Sequence, residues 1–447
     1  MSVQMISSSS HVCTTTARQR GACARSLCSD FSEQGETKII MRNRVAVVGV
    51  GAVSPAGGTA PAAVDSMQTA KGLTTLNAAL SKELGEPVAA GHVAAFEWGT
   101  DVSPHVARRS DRAVALALAA AKEAVDVTGL RDSTRLRRAL ISVGSAAAGL
   151  ASTEKIVAAS SLTKQRPGPF AAPKMMVNGP AAALSLAFGI HGPAETISTA
   201  CASGTSAVGR AYIAIQDGRA DLALAGGTDA PISPTAVLAF GRMGALAQHR
   251  GEPSERSRPF DAARTGFVLA EGAAFLVLEN WEKARQRGAD IFGEILGFAS
   301  NSDAYHVVSP RPDALFIRRC MEEALASGGL DNEDISHVNA HGTGTMLNDL
   351  YEADAIAALF GSSTPVTAYK GATGHMLGAS GAFELVVDLL LTRSGYAPAI
   401  ANLSAPGPDI RIRALTESIG VPQDQPFMSN SFGFGGHNAS IIARAFS

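Results

Sequence analysis

One cysteine, Cys201, stands among small residues in "STACASGTSA" (Ser198 to Ala207), where an apolar run gives way to a helical pattern. Beyond it Val208, Ala211 or Tyr212, and Ile215 recur at one-face helical spacing, and Gly218 suits the helix C-terminus. Cys201 is therefore expected at a helix N-terminus, where unpaired N–H groups and the positive dipole end favour thiolate over thiol. Its neighbours Ala200, Ala202, Ser203 and Gly204 leave the sulfur reachable. The plain alternative is a buried space-filler, because cysteine packs as a small hydrophobe. Cys320, inside the helical "FIRRCMEEAL", is of that kind.

Two histidine loops favour the nucleophile. "NAHGTGT" (Asn339 to Thr345) and "KGATGHMLGASGA" (Lys370 to Ala382) each set a histidine among glycines directly after a strand-like run. Glycine-rich bends at strand ends are where substrates are met, and a thiol with two imidazoles forms a nucleophile-and-base set. No Cys-x-x-Cys pair or His-x-x-x-His helix offers metal-ligand spacing, so no metal is expected. "GVGAVSPAG" opens like a dinucleotide fingerprint through Gly49 and Gly51, but Ser54 and Pro55 break it, which argues against a nicotinamide or flavin site.

The elements that position these groups read as α/β. "RVAVVGVG", "RALISVGS", "DLALAGGTDA", "AAFLVLEN", "IFGEILGFA" and "ISHVNAHG" suit strands covered on both faces, and small-residue helices alternate with them. Two such units follow one another, residues 41–292 and 293–447, with the seam at Gly293. Residues 1–40 are a Ser- and Thr-rich tail with no acidic residue before Asp30, read either as a segment upstream of a natural start at Met41 or as an organelle transit peptide. The chain has 447 residues, 46% of them hydrophobic, a formal net charge of -2 and five cysteines, three of them in the tail. That balance argues against nucleic acid as the main partner and against a disulfide framework. The longest apolar stretch, "AVALALAAA" from Ala113, is about half the ~18 residues of a membrane span.

Taken together, "TACASG", "NAHGTGT", "TGHMLGASGA" and "SNSFGFGGHN" resemble, in order and spacing, the β-ketoacyl-acyl carrier protein synthases of fatty acid and polyketide assembly. The resemblance runs from about Arg44 to the C-terminus and points to the elongating Cys-His-His branch, the KAS II type. It implies the thiolase fold, duplicated halves in five αβαβα layers, normally dimeric. Cys201 would take an acyl chain as a thioester, and His341 and His375 would act on malonyl-carrier protein. Lys370 falls on the family's structural lysine and Glu352 on the glutamate that pairs with it. The N–H groups of Cys201 and Phe434 match the oxyanion hole, and Phe432 to Gly436 match a gating loop in which Phe434 swings. Thr343 and Thr345 match substrate-binding positions.

The same resemblance implies no cofactor beyond the phosphopantetheine of acyl carrier protein. That acidic partner would dock on Arg108 and Arg109, with Arg250 a looser match, and Arg112 adds a further basic residue to the first cluster. Either a homodimer or a heterodimer with a chain-length factor fits, as does a cytoplasmic location, or a plastid one if the tail is a transit peptide. Two departures from the family pattern bear on substrate. "GSAAAGL" puts Ala147 where a bulky aliphatic side chain often narrows the acyl pocket, and Asn348-Asp349 recur in type II polyketide and polyene synthases. Fatty acid elongation is the first reading and the ketosynthase subunit of such a pathway the alternative. Thiolase chemistry would need a second cysteine near the C-terminus, and none follows Cys320. A non-catalytic chain-length partner would lack Cys201.

Overall fold

Nine consecutive buried residues, VAVVGVGAV, form strand β1 (Val45–Val53). A strand with no exposed face must be covered on both sides, and this requirement organises the computed structural model, which describes residues 42–97, 110–248 and 251–446. The first half adds β2 (Leu140–Gly144), β3 (Ala194–Ile197), β4 (Leu222–Asp229) and β5 (Gly272–Asn280). The second adds β6 (Gly293–Ser302), β7 (Val338–Asn339), β8 (Pro365–Thr367), β9 (Pro426–Gly433) and β10 (His437–Ala445).

The duplication inferred from element order is visible in the pairing. The first half runs β3-β2-β4-β5-β1 across the sheet and the second runs β8-β7-β9-β10-β6, the same permutation of five strands. The strand senses match as well. β2 is parallel to β3 and β4, and β7 is parallel to β8 and β9. The other neighbours within each half are antiparallel. The halves join edge to edge where β1 meets β6 antiparallel, Val45 opposite Ile295 and Val47 opposite Gly293. A two-residue strand, Arg413–Ala414, extends the far edge beside β8 and makes eleven strands.

Helices supply the cover. On the outer face of the first half lie α1 (Arg112–Asp126) and α2 (Gly179–Phe188). Between the halves lie α3 (Ser203–Gln216) and, nearer the C-terminus, a long helix that follows the second histidine loop. The second half is covered outside by α4 (Leu315–Gly328) and α5 (Met346–Phe360). The single turn α6 (Lys370–Thr373) leads to the central helix α7 (Ser380–Arg393). Both α3 and α7 pack on strands of both halves, so the order across the molecule is α, β, α, β, α. Being central, α7 is buried on nearly all sides, and its polar residues Ser380, Glu384 and Asp388, one turn apart on one face, are buried with the rest. No helix among the described residues is long and apolar enough to cross a membrane.

The halves touch backbone to backbone beside Cys201. A Cβ placed on Gly204, in the first turn of α3, would lie 2.6 Å from the carbonyl oxygen of Gly378. One on Gly378 would lie 2.7 Å from the Ala146 nitrogen. Gly204→Ala should raise helix propensity by about 1 kcal/mol yet lower stability, because overpacking costs roughly 1–3 kcal/mol. A urea midpoint below that of the unsubstituted protein is the expected result.

Candidate active site

Cys201 occupies the turn between β3 and α3, immediately after Ala200, whose φ of 50° puts a non-glycine residue in the left-handed region. Ser203 holds this turn. Its hydroxyl donates to the Ala200 carbonyl at 2.6 Å and accepts from the Thr199 N–H at 2.9 Å. The sulfur is buried, and the backbone N–H groups of Phe434 and of Cys201 itself favour its charged form. Helix position had suggested a resting thiolate. Burial instead pushes the Cys201 thiol up to about 12, against the downward pull of Lys370 and of these N–H groups. In the unloaded pocket the sulfur is a thiol, and it must pass its proton to a base when it attacks.

Two bases stand beside it. A ring nitrogen of His341, a ring nitrogen of His375 and the Cys201 sulfur lie within 4.8 Å of one another. The imidazoles meet edge to face, centroids 5.4 Å apart. Phe432 packs against His341 at 6.0 Å, and Phe267 against His375 at 5.1 Å. Burial, with Lys370 adding to it, pushes both imidazoles well below the usual histidine range, so both are neutral. His341 Nδ1 and His375 Nε2 are buried without a hydrogen-bond partner. The other His375 nitrogen, Nδ1, shares a 3.0 Å hydrogen bond with the Ser380 hydroxyl. If Ser380 donates that bond, Nε2 carries the ring proton as a donor; if it accepts, Nε2 is a base. One ring thus serves as base for the thiol and as donor to an oxyanion.

The backbone around these histidines is tied to buried ionisable side chains. Lys370 Nζ donates to the His341 carbonyl and to Glu384, both at 2.6 Å. This corrects the pairing of Lys370 with Glu352. Glu352 instead accepts the N–H groups of His341 at 2.7 Å and Gly342 at 2.9 Å, so it orients the His341 loop from below. Burial raises Glu352 to about 8 and Glu384 to about 7. Glu384 was missed in the sequence, although an acid in the apolar run "FELVVDLLL" of α7 was a signal for it. Ser380 and Asp229 carried no comparable signal.

A cavity of about 230 Å³ opens on Cys201, His341 and His375, lined also by Phe432, Phe434, Thr343 and Thr345. The two threonine hydroxyls are 2.9 Å apart. Asp349 accepts from the N–H of Gly344 between them at 3.1 Å. Ala147 does not line this cavity; it packs into the same apolar cluster as Cys201, Leu377 and Phe434. Its loop is fixed by buried Asp229, which accepts from Ser145, Ala146, Ala147 and, across the halves, Gly378 at 2.7–2.9 Å. Arg108, Arg109 and Arg250 lie outside the described residues. Arg112 pairs with buried Glu271 at 2.5 Å and so serves α1 rather than a free basic patch.

Comparison with known proteins agrees with this geometry. The family description "Beta-ketoacyl synthase, N-terminal domain" matches residues 42–284 and "Beta-ketoacyl synthase, C-terminal domain" matches residues 292–404. The 3-oxoacyl-[acyl-carrier-protein] synthase 2 of Rhizobium meliloti (strain 1021) is 35% identical over 90% of this chain and 99% of its own length. A type II polyketide acyl-carrier protein in complex with its ketosynthase bound to the hexaketide superposes with a TM-score of 0.82 at 28% identity, over 90% of this chain and 100% of the other. The ishigamide ketosynthase/chain length factor gives 0.82 at 30% identity, over 91% and 100%.

The Lys370–Glu384 pair should respond asymmetrically to its two deletions. Glu384→Ala strands a buried cation and should cost about 3–5 kcal/mol. Lys370→Met leaves a carboxyl that can take up a proton. With the two downward pulls of Lys370 gone, the Glu384 carboxyl rises above its value of about 7, so the folded variant holds a proton that the unfolded chain releases near 4.5, and its stability should fall as pH rises from 4.5 to beyond 7. Urea unfolding at pH 6 and pH 8 checks both.

Proposed function

The chain belongs to the β-ketoacyl synthase family, and from that premise we propose that Cys201, His341 and His375 carry out a decarboxylative Claisen condensation on carrier-protein thioesters. The observation that carries this reading is the meeting of one sulfur and two neutral imidazoles, within 4.8 Å of one another, at a shared cavity. As a β-ketoacyl-acyl carrier protein synthase of the KAS II type, the enzyme works in fatty acid elongation.

First the Cys201 thiol gives its proton to an imidazole, its sulfur displaces the carrier's phosphopantetheine thiolate from an acyl thioester, and the imidazolium passes the proton to that leaving thiolate, which restores the neutral ring. The N–H groups of Cys201 and Phe434 hold the developing oxyanion. Malonyl-carrier protein then presents its thioester to the same cavity. Its carboxylate leaves as CO2, and the electron pair forms an enolate whose oxygen accepts from His341 and His375. The enolate carbon attacks the Cys201 thioester, a carbon–carbon bond forms, the carbon–sulfur bond breaks, the Cys201 thiolate so released takes a proton from solvent, and β-ketoacyl-carrier protein departs. Neutral imidazoles suit this role, since a donor in a dry site stabilises an enolate without a metal or organic cofactor. Lys370 and Glu352 fix the His341 loop, Thr343 and Thr345 line the pantetheine approach, and Phe434 is the gate beside the sulfur.

A dimer is part of the reading. The helix Leu150–Thr163 buries none of its residues, and among the described residues β3 ends the sheet with one edge unpaired. Val157, Leu162, Phe170 and Met176 are exposed nearby in sequence. A second copy of the chain would cover this face, in the cytoplasm, or in a plastid if residues 1–40 direct it there. Acyl carrier protein would dock through Arg108, Arg109 and Arg250. The alternative, a ketosynthase subunit with a chain-length factor in a polyketide or polyene pathway, is favoured by the likeness to the ishigamide pair and by Asn348-Asp349.

Incubation with malonyl-carrier protein and acyl-carrier proteins of varied length, followed by mass analysis, should give chains two carbons longer. Cys201→Gln should abolish condensation, a loss of roughly a thousandfold or more, while CO2 release persists. No product with any acyl carrier would overturn the reading. Ala147→Ile should shorten the longest chain accepted; unchanged chain length would remove Ala147 from the acyl site. A molar mass of two chains in light scattering separates the homodimer from a subunit that waits for another partner.

A further inference from the structure

Beneath the catalytic loops lies a second buried charged cluster that the condensation does not use. Asp388 sits one helical turn after Glu384 on α7, so the two carboxylates share a face. Both are buried, as are His337 and Tyr369. Asp388 Oδ1 accepts from the Tyr369 hydroxyl at 2.6 Å and lies 3.1 Å from His337 Nε2, while its Oδ2 has no hydrogen-bond partner. The His337 ring stacks on Phe427 at 5.5 Å, and its Nδ1 is 2.9 Å from the Ser336 hydroxyl. Tyr369 immediately precedes Lys370, and His337 lies on the run that ends in His341.

Two buried acids four residues apart repel, and apolar residues of similar size would pack there at less cost. What the arrangement achieves is positional. α7 holds Lys370 through Glu384 and holds the residue before Lys370 through Asp388. It also holds the strand leading to His341 through the contact of Asp388 with His337. We propose that Asp388, acting through Tyr369 and His337, is a positioning carboxylate that registers Lys370 and the His341 loop on α7 for the decarboxylation half of the reaction. The inference rests on the condensing reading above.

Electrostatics point the same way. The groups facing Glu384 are Lys370, Asn339 and Asp388, and after burial and the opposing pull of Lys370, the charge of Asp388 helps raise Glu384 to about 7. The Tyr369 hydroxyl is pushed well above its usual range by burial and then by Asp388, so it stays a donor. Cys201 is held by α3, outside this cluster, and His375, held by the Ser380 hydroxyl, can take its proton, so its acylation should not depend on Asp388.

The test compares half-reactions in Asp388→Asn and Tyr369→Phe. CO2 release from malonyl-carrier protein should fall roughly tenfold to a hundredfold, as expected for a small misplacement of reacting groups. Acyl transfer to Cys201 should stay within about twofold. If both half-reactions fall together, or neither falls, Asp388 is only structural and the proposal is overturned. Should Asp388→Asn fail to fold, the near-isosteric Tyr369→Phe decides. A substrate-free readout keeps this separate from the parent reading: the infrared band of the protonated Glu384 carboxyl, assigned by its loss in Glu384→Gln. Its pH midpoint should move down in Asp388→Asn, and an unmoved midpoint would also overturn the proposal.

Discussion

Everything at this centre depends on two backbones being allowed to touch. Cys201 is delivered by the first half of the chain and both histidines by the second. They share one cavity because Gly204 on α3 lies against the Gly378 carbonyl in the His375 loop. Asp229 fastens the same contact by accepting the Gly378 N–H together with the N–H groups of the Ala147 loop. A methyl group at either glycine would separate the halves by more than a hydrogen bond tolerates. The abundance of small residues is thus tied to the chemistry, since close backbone approach is what a site built across two halves requires.

The second constraint is dryness. Burial raises the Cys201 thiol and lowers both imidazoles, so the three reacting groups rest neutral. The ionisable groups stand one layer out, where Lys370 donates to the His341 carbonyl and to Glu384, and Glu352 accepts the N–H groups of His341 and Gly342, so they hold the His341 loop rather than touch substrate. Fixed dipoles and N–H groups are then free to meet the charge that develops during reaction, where a low dielectric strengthens them. A thiolate already stabilised at rest would be a weaker nucleophile than one generated at the moment of attack.

Much of this was legible in the sequence, and the reason is local. Strands such as VAVVGVGAV announce two-sided burial, the helix after Cys201 begins and ends where its apolar spacing places it, and the histidine loops carry their glycines with them. The repeated strand permutation was beyond reach, because pairing order is a long-range property that no single segment encodes. The ion pair was misassigned for a similar reason. Glu352 and Glu384 are both acids near the histidine loops in sequence, and only the packing of α7 decides which one meets Lys370. Asp229 acts mainly on backbone N–H groups and Ser380 on the His375 ring, partnerships set by packing that leave no pattern of residue types to read.

A crystal structure of the acylated enzyme bears most directly on the shared centre. The thioester should form on Cys201, its carbonyl oxygen within hydrogen-bond reach of the Cys201 and Phe434 nitrogens, with His341 and His375 facing the opposite side of the thioester carbon. An acyl group on any other residue, or a thioester oxygen turned onto the two imidazoles, would contradict the division of labour between the two halves.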